Sequence, residues 1–290
     1  MKELVVISGK GGTGKTSITG ALAKLARNKV IVDCDVDAAD LHILLRPEII
    51  YKEIFIGGVI AEISKEKCIK CNACKEVCRF GAVEENYEIN KIDCEGCGVC
   101  YYLCKSNAIT LKDNINGEWY RSNTEYGPMI HASMTVGSEN SGKLVTLLRT
   151  NSAIIAKENG INLIVIDGSP GVGCPVIASI TSAYCCLIVT EPSLSAFHDL
   201  KRVCELSKNF KAKTLVCINK FDINEDISNQ IEEFCKHISI GLAGKIPYDN
   251  TITKAQIEGK NIMEFPESIA AKAINELWVN LKKILVITCN

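Results

Sequence analysis

The sequence predicts an α/β protein built on a mostly parallel sheet with helices on both faces, interrupted by a smaller α+β lobe. Three observations predict it. The chain opens as a strand, a glycine-rich loop and a helix. Short apolar runs then alternate with helical patterns through its second half, the order expected of a parallel sheet. Between these parts lie eight of the sixteen cysteines, in two copies of one spacing.

Leu4–Ile7 is a strand-sized apolar run, and the pattern from about Thr16 to Ala26 places Ile18, Leu22 and Leu25 on one helical face. Val30–Val32 is a second strand, ending in the acidic stretch Asp33-Cys34-Asp35-Val36-Asp37. Later strands are expected at Leu163–Ile166, Leu187–Thr190, Leu215–Ile218 and Ile240–Ile246, with helices at Leu200–Ser207 and Ile227–Cys235 between them. The cysteine segment repeats itself after about 26 residues, Cys68–Val83 aligning with Cys94–Ile109. The expected organisation is therefore an outer domain over 1–63 and 113–290, with an inserted lobe over 64–112. Asp113–Lys143, rich in Asn, Ser, Gly and Glu, reads as loop-heavy. The last helical pattern, with Ala270, Ala273, Ile274, Leu277, Leu281 and Ile284 on one face, suits either core packing or a membrane surface.

Composition excludes several classes. A net charge of −1 with 23% charged residues gives no basic excess, so nucleic acid is not an expected partner. No apolar run approaches a membrane span, few lysines flank the last helical pattern, and the N-terminus lacks a signal-peptide plan. A cytoplasmic protein without membrane binding is the expectation.

Gly9-Lys10-Gly11-Gly12-Thr13-Gly14-Lys15-Thr16 fits G-x-x-x-x-G-K-[ST] between a strand and a helix. Backbone N–H groups of such a loop cradle phosphate oxygens, Lys15 reaches the β and γ phosphates, and the Thr16 hydroxyl holds Mg²⁺. Asp167, at the end of an apolar strand and before Gly168-Ser169-Pro170-Gly171, suits the surroundings of that magnesium. Asn219-Lys220-Phe221-Asp222 fits N-K-x-D, a base-reading pattern that does not by itself choose adenine or guanine.

Cys68, Cys71, Cys74 and Cys78 follow C-x2-C-x2-C-x3-C, and Cys94, Cys97, Cys100 and Cys104 repeat it. Any lone C-x2-C pair suits zinc, but four cysteines at this spacing, twice over, are a layout for two [4Fe–4S] clusters. The fourth cysteine of each run ligates the other cluster in two-cluster ferredoxins. That rule gives one set of Cys68, Cys71, Cys74 and Cys104, and another of Cys94, Cys97, Cys100 and Cys78. Arg79 and Lys105 stand where ferredoxin runs usually carry proline. Cys185, Cys186 and Cys217 read as core residues, and Cys204, Cys235 and Cys289 have no partner spacing.

Lys10–Thr16 resembles the deviant Walker A motif of the MinD/ParA superfamily, which includes the nitrogenase iron protein; Lys10 matches its signature lysine. Asp33-Cys34-Asp35 matches the acidic stretch after the family's second strand, Asp167–Gly173 its switch II, and Pro247-Tyr248-Asp249 its second base-contacting loop. The whole chain is similar to MinD-type P-loop (SIMIBI-type) ATPases with an inserted ferredoxin domain. The resemblance implies an ATP-sandwich homodimer in which Lys10 acts on the partner's phosphates, Asp35 orients the attacking water, and ATP is preferred to GTP. The implied nucleotide-binding set is Gly9, Lys10, Gly11, Gly12, Thr13, Gly14, Lys15, Thr16 and Ser17 with Asn219, Lys220, Pro247 and Asp249. Lys10, Lys15 and Asp35 would be catalytic, and Thr16, Asp35 and Asp167 would hold Mg²⁺. Cys174 lies where the iron protein has a ligand for its dimer-bridging cluster, but Met129–Lys143 offers no second cysteine, so no bridging cluster is expected.

The expected function is an ATP-hydrolysing switch coupling nucleotide state to electron transfer or metallocentre assembly, with a redox protein or metalloprotein as acceptor. The alternative is a redox-sensing or scaffold protein with structural clusters, in which ATP only sets the dimer state.

Overall fold

A computed structural model describes residues 1–135 and 141–286. It contains two compact units: Met1–Lys52, Trp119–Ser133 and residues 141–286 form the first, and Glu53–Glu118 with Met134 and Thr135 belong to the second. In chain order the elements begin with β1 (Lys2–Ser8), α1 (Lys15–Leu25), β2 (Lys29–Asp33), α2 (Leu41–Leu45) and β3 (Glu48–Ile63). Two short helices, α3 (Ala73–Val77) and α4 (Val99–Leu103), precede β4 (Ile109–Thr124) and β5 (Gly127–Met134). There follow α5 (Ser141–Glu158), β6 (Leu163–Pro170), α6 (Cys174–Ile180), β7 (Cys185–Thr190), α7 (Leu194–Ser207) and β8 (Lys213–Asn219). The chain closes with α8 (Glu225–His237), β9 (Gly241–Ile246), α9 (Asn250–Ile257) and α10 (Ile269–Leu285).

Among the described residues the sheet order is β3-β4-β5-β2-β6-β1-β7-β8-β9. β1 pairs in parallel with β6 and β7, β2 with β5 and β6, and β8 with β7 and β9. Such strands are covered on both faces, which is why Leu4, Val5, Val6 and Ile7 are apolar without alternation and all fully buried. Leu4 and Val6 enter a core with Ile18 and Leu22 of α1 and Ile274, Leu277 and Leu281 of α10. Val5 and Ile7 point to the opposite face by the two-residue period of a strand, where α5 packs on β2 and β6.

The last helix resolves the choice left by its pattern. Ala270, Ile274, Leu277 and Leu281 are buried in the core, with Ala273 and Ile284 packed against it. Ser268 caps this helix by accepting from the Ala271 N–H at 3.1 Å. No described helix is long and apolar enough to cross a membrane.

The described part of Asp113–Lys143 departs from its expected loop character, because Ile109–Thr124 and Gly127–Met134 are strands; residues 136–140 lie outside the described residues. Their polar composition hid a pairing signal: Ile109, Asn116, Trp119 and Ser122 are buried while most residues between them are solvated. Cross-strand packing overrides propensity here. Glu48–Ile63 is also strand, with Ile49, Ile50, Ile54 and Ile56 exposed, so it shows no alternation that would have marked it.

The second unit holds the two cysteine runs, and their sequence repeat is also a backbone repeat. α3 and α4 occupy equivalent positions. Lys70, Asn72 and Gly81 have positive φ in the first run, as do Gly96, Gly98 and Asn107 in the second. The second unit extends beyond the expected 64–112 because β3 and β4 carry the chain in and out of it.

Cys185, Cys186, Cys204, Cys217 and Cys235 are buried, and burial pushes the Cys185, Cys204 and Cys217 thiols up to about 12. These are inert packing residues. Cys289 lies outside the described residues.

Two predictions follow from this packing. Ile164 is fully buried on β6 between β1 and β2, so Ile164→Ala should lower unfolding free energy by about 3 kcal/mol in urea titration. Asp249 caps α9 through the Thr251 N–H and also accepts from Ser268 and the Ala270 N–H. Burial opposes the charged form, but these donors outweigh it and hold the carboxyl down at about 2. Its stabilisation is thus complete above the unfolded-state value near ~4 and is lost as pH falls through about 2. Asp249→Asn should flatten the stability–pH curve over that window.

Candidate functional site

The loop after β1, the acidic loop after β2 and the ends of β6 and β8 meet at the C-terminal edge of the parallel strands, the ligand edge of such a sheet. They surround a cavity of about 550 Å³ lined by Gly11, Gly12, Thr13, Gly14, Lys15, Thr16, Ser17, Asp35, Asn219, Lys220, Tyr248 and Asp249, among others. A larger cavity, about 1070 Å³, lies at the other strand ends near Lys2, Leu163 and Trp278, and carries none of the motifs.

Lys15 is the charge at the centre. Its Nζ lies 2.9 Å from Asp167 Oδ1 and 3.0 Å from Asp35 Oδ2, and its side chain is only 6% exposed. Burial alone would lower the ammonium, but Asp167 and Asp35 outweigh it and raise its pKa. Asp167 is fixed from two further directions: the Thr16 hydroxyl donates to Oδ2 and the Thr19 hydroxyl to Oδ1, each at 2.8 Å. Asp35 is raised by burial, with Lys15 opposing the shift. Asp33, fully buried, accepts from the Asp35 and Leu41 N–H groups and so shapes the acidic loop. Asp37 is exposed.

The glycine loop is built for an anion. Gly12 and Gly14 have φ of +80° and +89°. A Cβ at Gly14 would collide with the Asn219 amide, so this position requires glycine on two grounds. Among the described residues, the buried Thr13 Oγ1 has no hydrogen-bond partner. A buried hydroxyl left open beside turned-in backbone is the signature of a cradle that an oxyanion would complete.

At the other end, Asn219 Nδ2 donates to the Thr13 carbonyl at 2.8 Å, so β8 braces the phosphate loop. Asp222 does not line the cavity; it accepts the Tyr248 N–H at 2.7 Å and so joins the loop after β8 to the loop after β9. Of the remaining expected residues, Gly9 packs against Asp199, Pro247 is absent from the cavity wall, and Asp249 lines it while capping α9. Lys10 points elsewhere, pairing with Glu191 at 2.9 Å and lying near the Ser193 and Ser195 hydroxyls. Cys34 is fully buried and is not among the cavity-lining residues, and Cys174 is exposed.

The sequence reading missed Thr19, Glu191 and Gln256; Tyr248, which lines the cavity, lies in a loop it had named. Thr19 lies one helical turn after Lys15, on the face toward β6, which was a usable signal. Glu191 and Gln256, which donates to Ser17 at 2.9 Å, belong to no motif.

In the second unit, Cys78, Cys94, Cys97 and Cys100 line one small cavity with Phe80, Ala82 and Val83. Burial, and more weakly Cys68 and Cys71, raise the Cys74 thiol, so the first three cysteines of the other run are also neighbours. Cys104 Sγ accepts the Ala108 N–H at 3.2 Å. Among the described residues no group of three or more His, Cys, Asp or Glu side chains is arranged to hold a metal ion.

Comparison with known proteins agrees with this geometry. A Methanocaldococcus jannaschii protein of uncharacterised function is 33% identical over 292 residues, 98% of this chain and 97% of its own length. An uncharacterised ATP-binding protein of the same organism is 22% identical, covering 96% of this chain and 86% of its own. The fold matches the Aquifex aeolicus MinD cell division protein (TM-score 0.59, 17% identity, 100% of this chain and 99% of that one). It also matches the septum site-determining protein MinD of Pyrococcus horikoshii complexed with Mg-ADP (TM-score 0.59, 18% identity, 98% and 97%). Residues 4–262 match the CobQ/CobB/MinD/ParA nucleotide-binding domain, and the chain therefore belongs to that family.

Proposed function

We propose that this protein is an ATP-hydrolysing switch that carries two [4Fe–4S] clusters and couples nucleotide state to electron transfer or metallocentre assembly. The observation that carries the ATPase half is Lys15 held between Asp35 and Asp167, with the Thr16 hydroxyl on the same Asp167, at the wall of a nucleotide-sized cavity. Lys15 exchanges its carboxylate partners for phosphate oxygens, and the glycine loop supplies N–H donors. Mg²⁺, where bound, would be held by Thr16 with Asp167 and Asp35 and would screen phosphate charge. Asp35, freed from Lys15, orients the attacking water, and Lys10 reaches the phosphates of a second copy in a homodimer.

Adenine is the favoured base. The aspartate that would read guanine, Asp222, is engaged with the Tyr248 N–H and stands outside the cavity wall. The similar M. jannaschii protein described as ATP-binding and the Mg-ADP complex of P. horikoshii MinD agree with that choice.

The cluster half rests on the two spacings and three structural features. Each run has the same three positive-φ positions, and successive αR–αL turns direct N–H groups into a concave, anion-accepting loop. Cys78 shares a cavity with Cys94, Cys97 and Cys100, the set that crossed ligation requires. Cys104 already accepts a backbone N–H, the kind of bond that tunes a cluster sulfur. A four-iron cubane takes one thiolate per iron at separate corners, so its ligands need not converge as they do on a single ion. The clusters would supply one-electron redox chemistry, held by Cys68, Cys71, Cys74 and Cys104 and by Cys78, Cys94, Cys97 and Cys100.

Lys15→Ala should abolish ATP hydrolysis while leaving the fold intact by circular dichroism; undiminished hydrolysis would remove the phosphate assignment. Anaerobically purified protein should contain about eight iron and eight sulfide per chain, falling to about four of each in Cys94→Ser. Iron near zero after anaerobic reconstitution would rule out the clusters. Electron transfer to an acceptor that is indifferent to ATP would remove the coupling.

A further inference from the structure

Glu191 lies just past the end of β7 and faces two lysines at once. Its Oε1 is 2.9 Å from Lys10 Nζ, and its Oε2 is 2.9 Å from Lys220 Nζ. Lys220 also donates to the Gly12 carbonyl at 3.2 Å, so one carboxylate links the start of the phosphate loop to the base end of the cavity. Lys10 is further satisfied by the Ser195 hydroxyl at 3.1 Å and the Ser193 hydroxyl at 3.3 Å. Burial would raise the Glu191 carboxyl, but Lys10 and Lys220 keep it below its ordinary value. The Glu191 side chain is 18% exposed and that of Lys10 31%, so the pair is neither free in solvent nor locked in the core.

We propose that Glu191 is a positioning residue that latches Lys10 to its own chain and thereby sets the ATP concentration at which two copies associate. The proposal rests on the reading of Lys10 as a group that acts on a second copy. In the single chain, Lys10 has three oxygen partners and no reason to extend. A second copy bearing ATP offers phosphate oxygens of higher charge, and Lys10 exchanges one anion for the other. Half-exposed ion pairs are weak enough to be broken by such competition, yet strong enough to shift an equilibrium by about two- to fivefold. Lys220 remains with Glu191 after the exchange, so the carboxylate is not left unpaired when Lys10 departs.

The test is an ATP titration of dimer formation by analytical ultracentrifugation, with ATP affinity measured separately by a fluorescent analogue. Glu191→Gln keeps the shape but removes the charge, and should lower the ATP concentration for half-dimerisation by about two- to fivefold with intact thermal stability. Lys10→Ala should abolish that effect, so that adding Glu191→Gln to Lys10→Ala changes nothing; a merely structural role for Glu191 would act equally in both backgrounds. An unchanged or raised ATP requirement in Glu191→Gln overturns the latch, as does a wild-type chain that binds ATP but never dimerises. A wild-type chain that binds no nucleotide overturns the ATP reading itself and the latch with it.

Discussion

The buried carboxylate of Asp167 is the constraint on which the site depends. It lies within the central strand β6, has no access to solvent, and is met by one ammonium and two hydroxyls from a single helix. A charge in such a place is tolerable only with partners on every side. That requirement fixes the rotation of α1 about its axis: Lys15, Thr16 and Thr19 must all face β6. Once the helix is set, the glycine loop before it has little choice of path. The apolar face of the same helix then falls on α10 and the sheet, joining the charged edge to the main core.

The acidic loop is the second half of this arrangement. Asp33, Asp35 and Asp167 would repel one another strongly if all were charged and unpaired. Lys15 relieves part of that, and backbone N–H groups hold Asp33. Burial and Asp167 nonetheless push the Asp33 carboxyl well up, so the site holds more acid than one lysine neutralises. An excess of carboxylates around a single cation is a natural place for further positive charge, and it makes the lysine exchangeable.

The parallel strands were legible because each is buried on both faces and so reads as an unbroken apolar run, as in Leu163–Ile166 and Leu215–Ile218. The phosphate loop was legible because glycine and lysine have few other reasons to occur in that order. Glu48–Ile63 and Ile109–Thr124 were not, because they are held by pairing with each other across the sheet rather than by a local period. Glu191 was invisible for a related reason. Its importance lies in two lysines, one at each end of the chain's motifs, that only folding brings within reach. Asp249 carried a motif resemblance but is also tied up as a helix cap, which spacing could not reveal.

The short bond from the Asn219 amide to the Thr13 carbonyl has a wider meaning. It joins the end of β8 directly to the glycine loop at the cavity wall. With no side chain on Gly14 to separate them, the strand end and the loop are in direct contact. On the proposed reading, a base that seats badly against Asn219 would pull on the same loop that is proposed to grip the phosphates. Selectivity for the ring and grip on the tail would then be a single mechanical property, with a poorly fitting nucleotide disfavoured at both ends by one displacement.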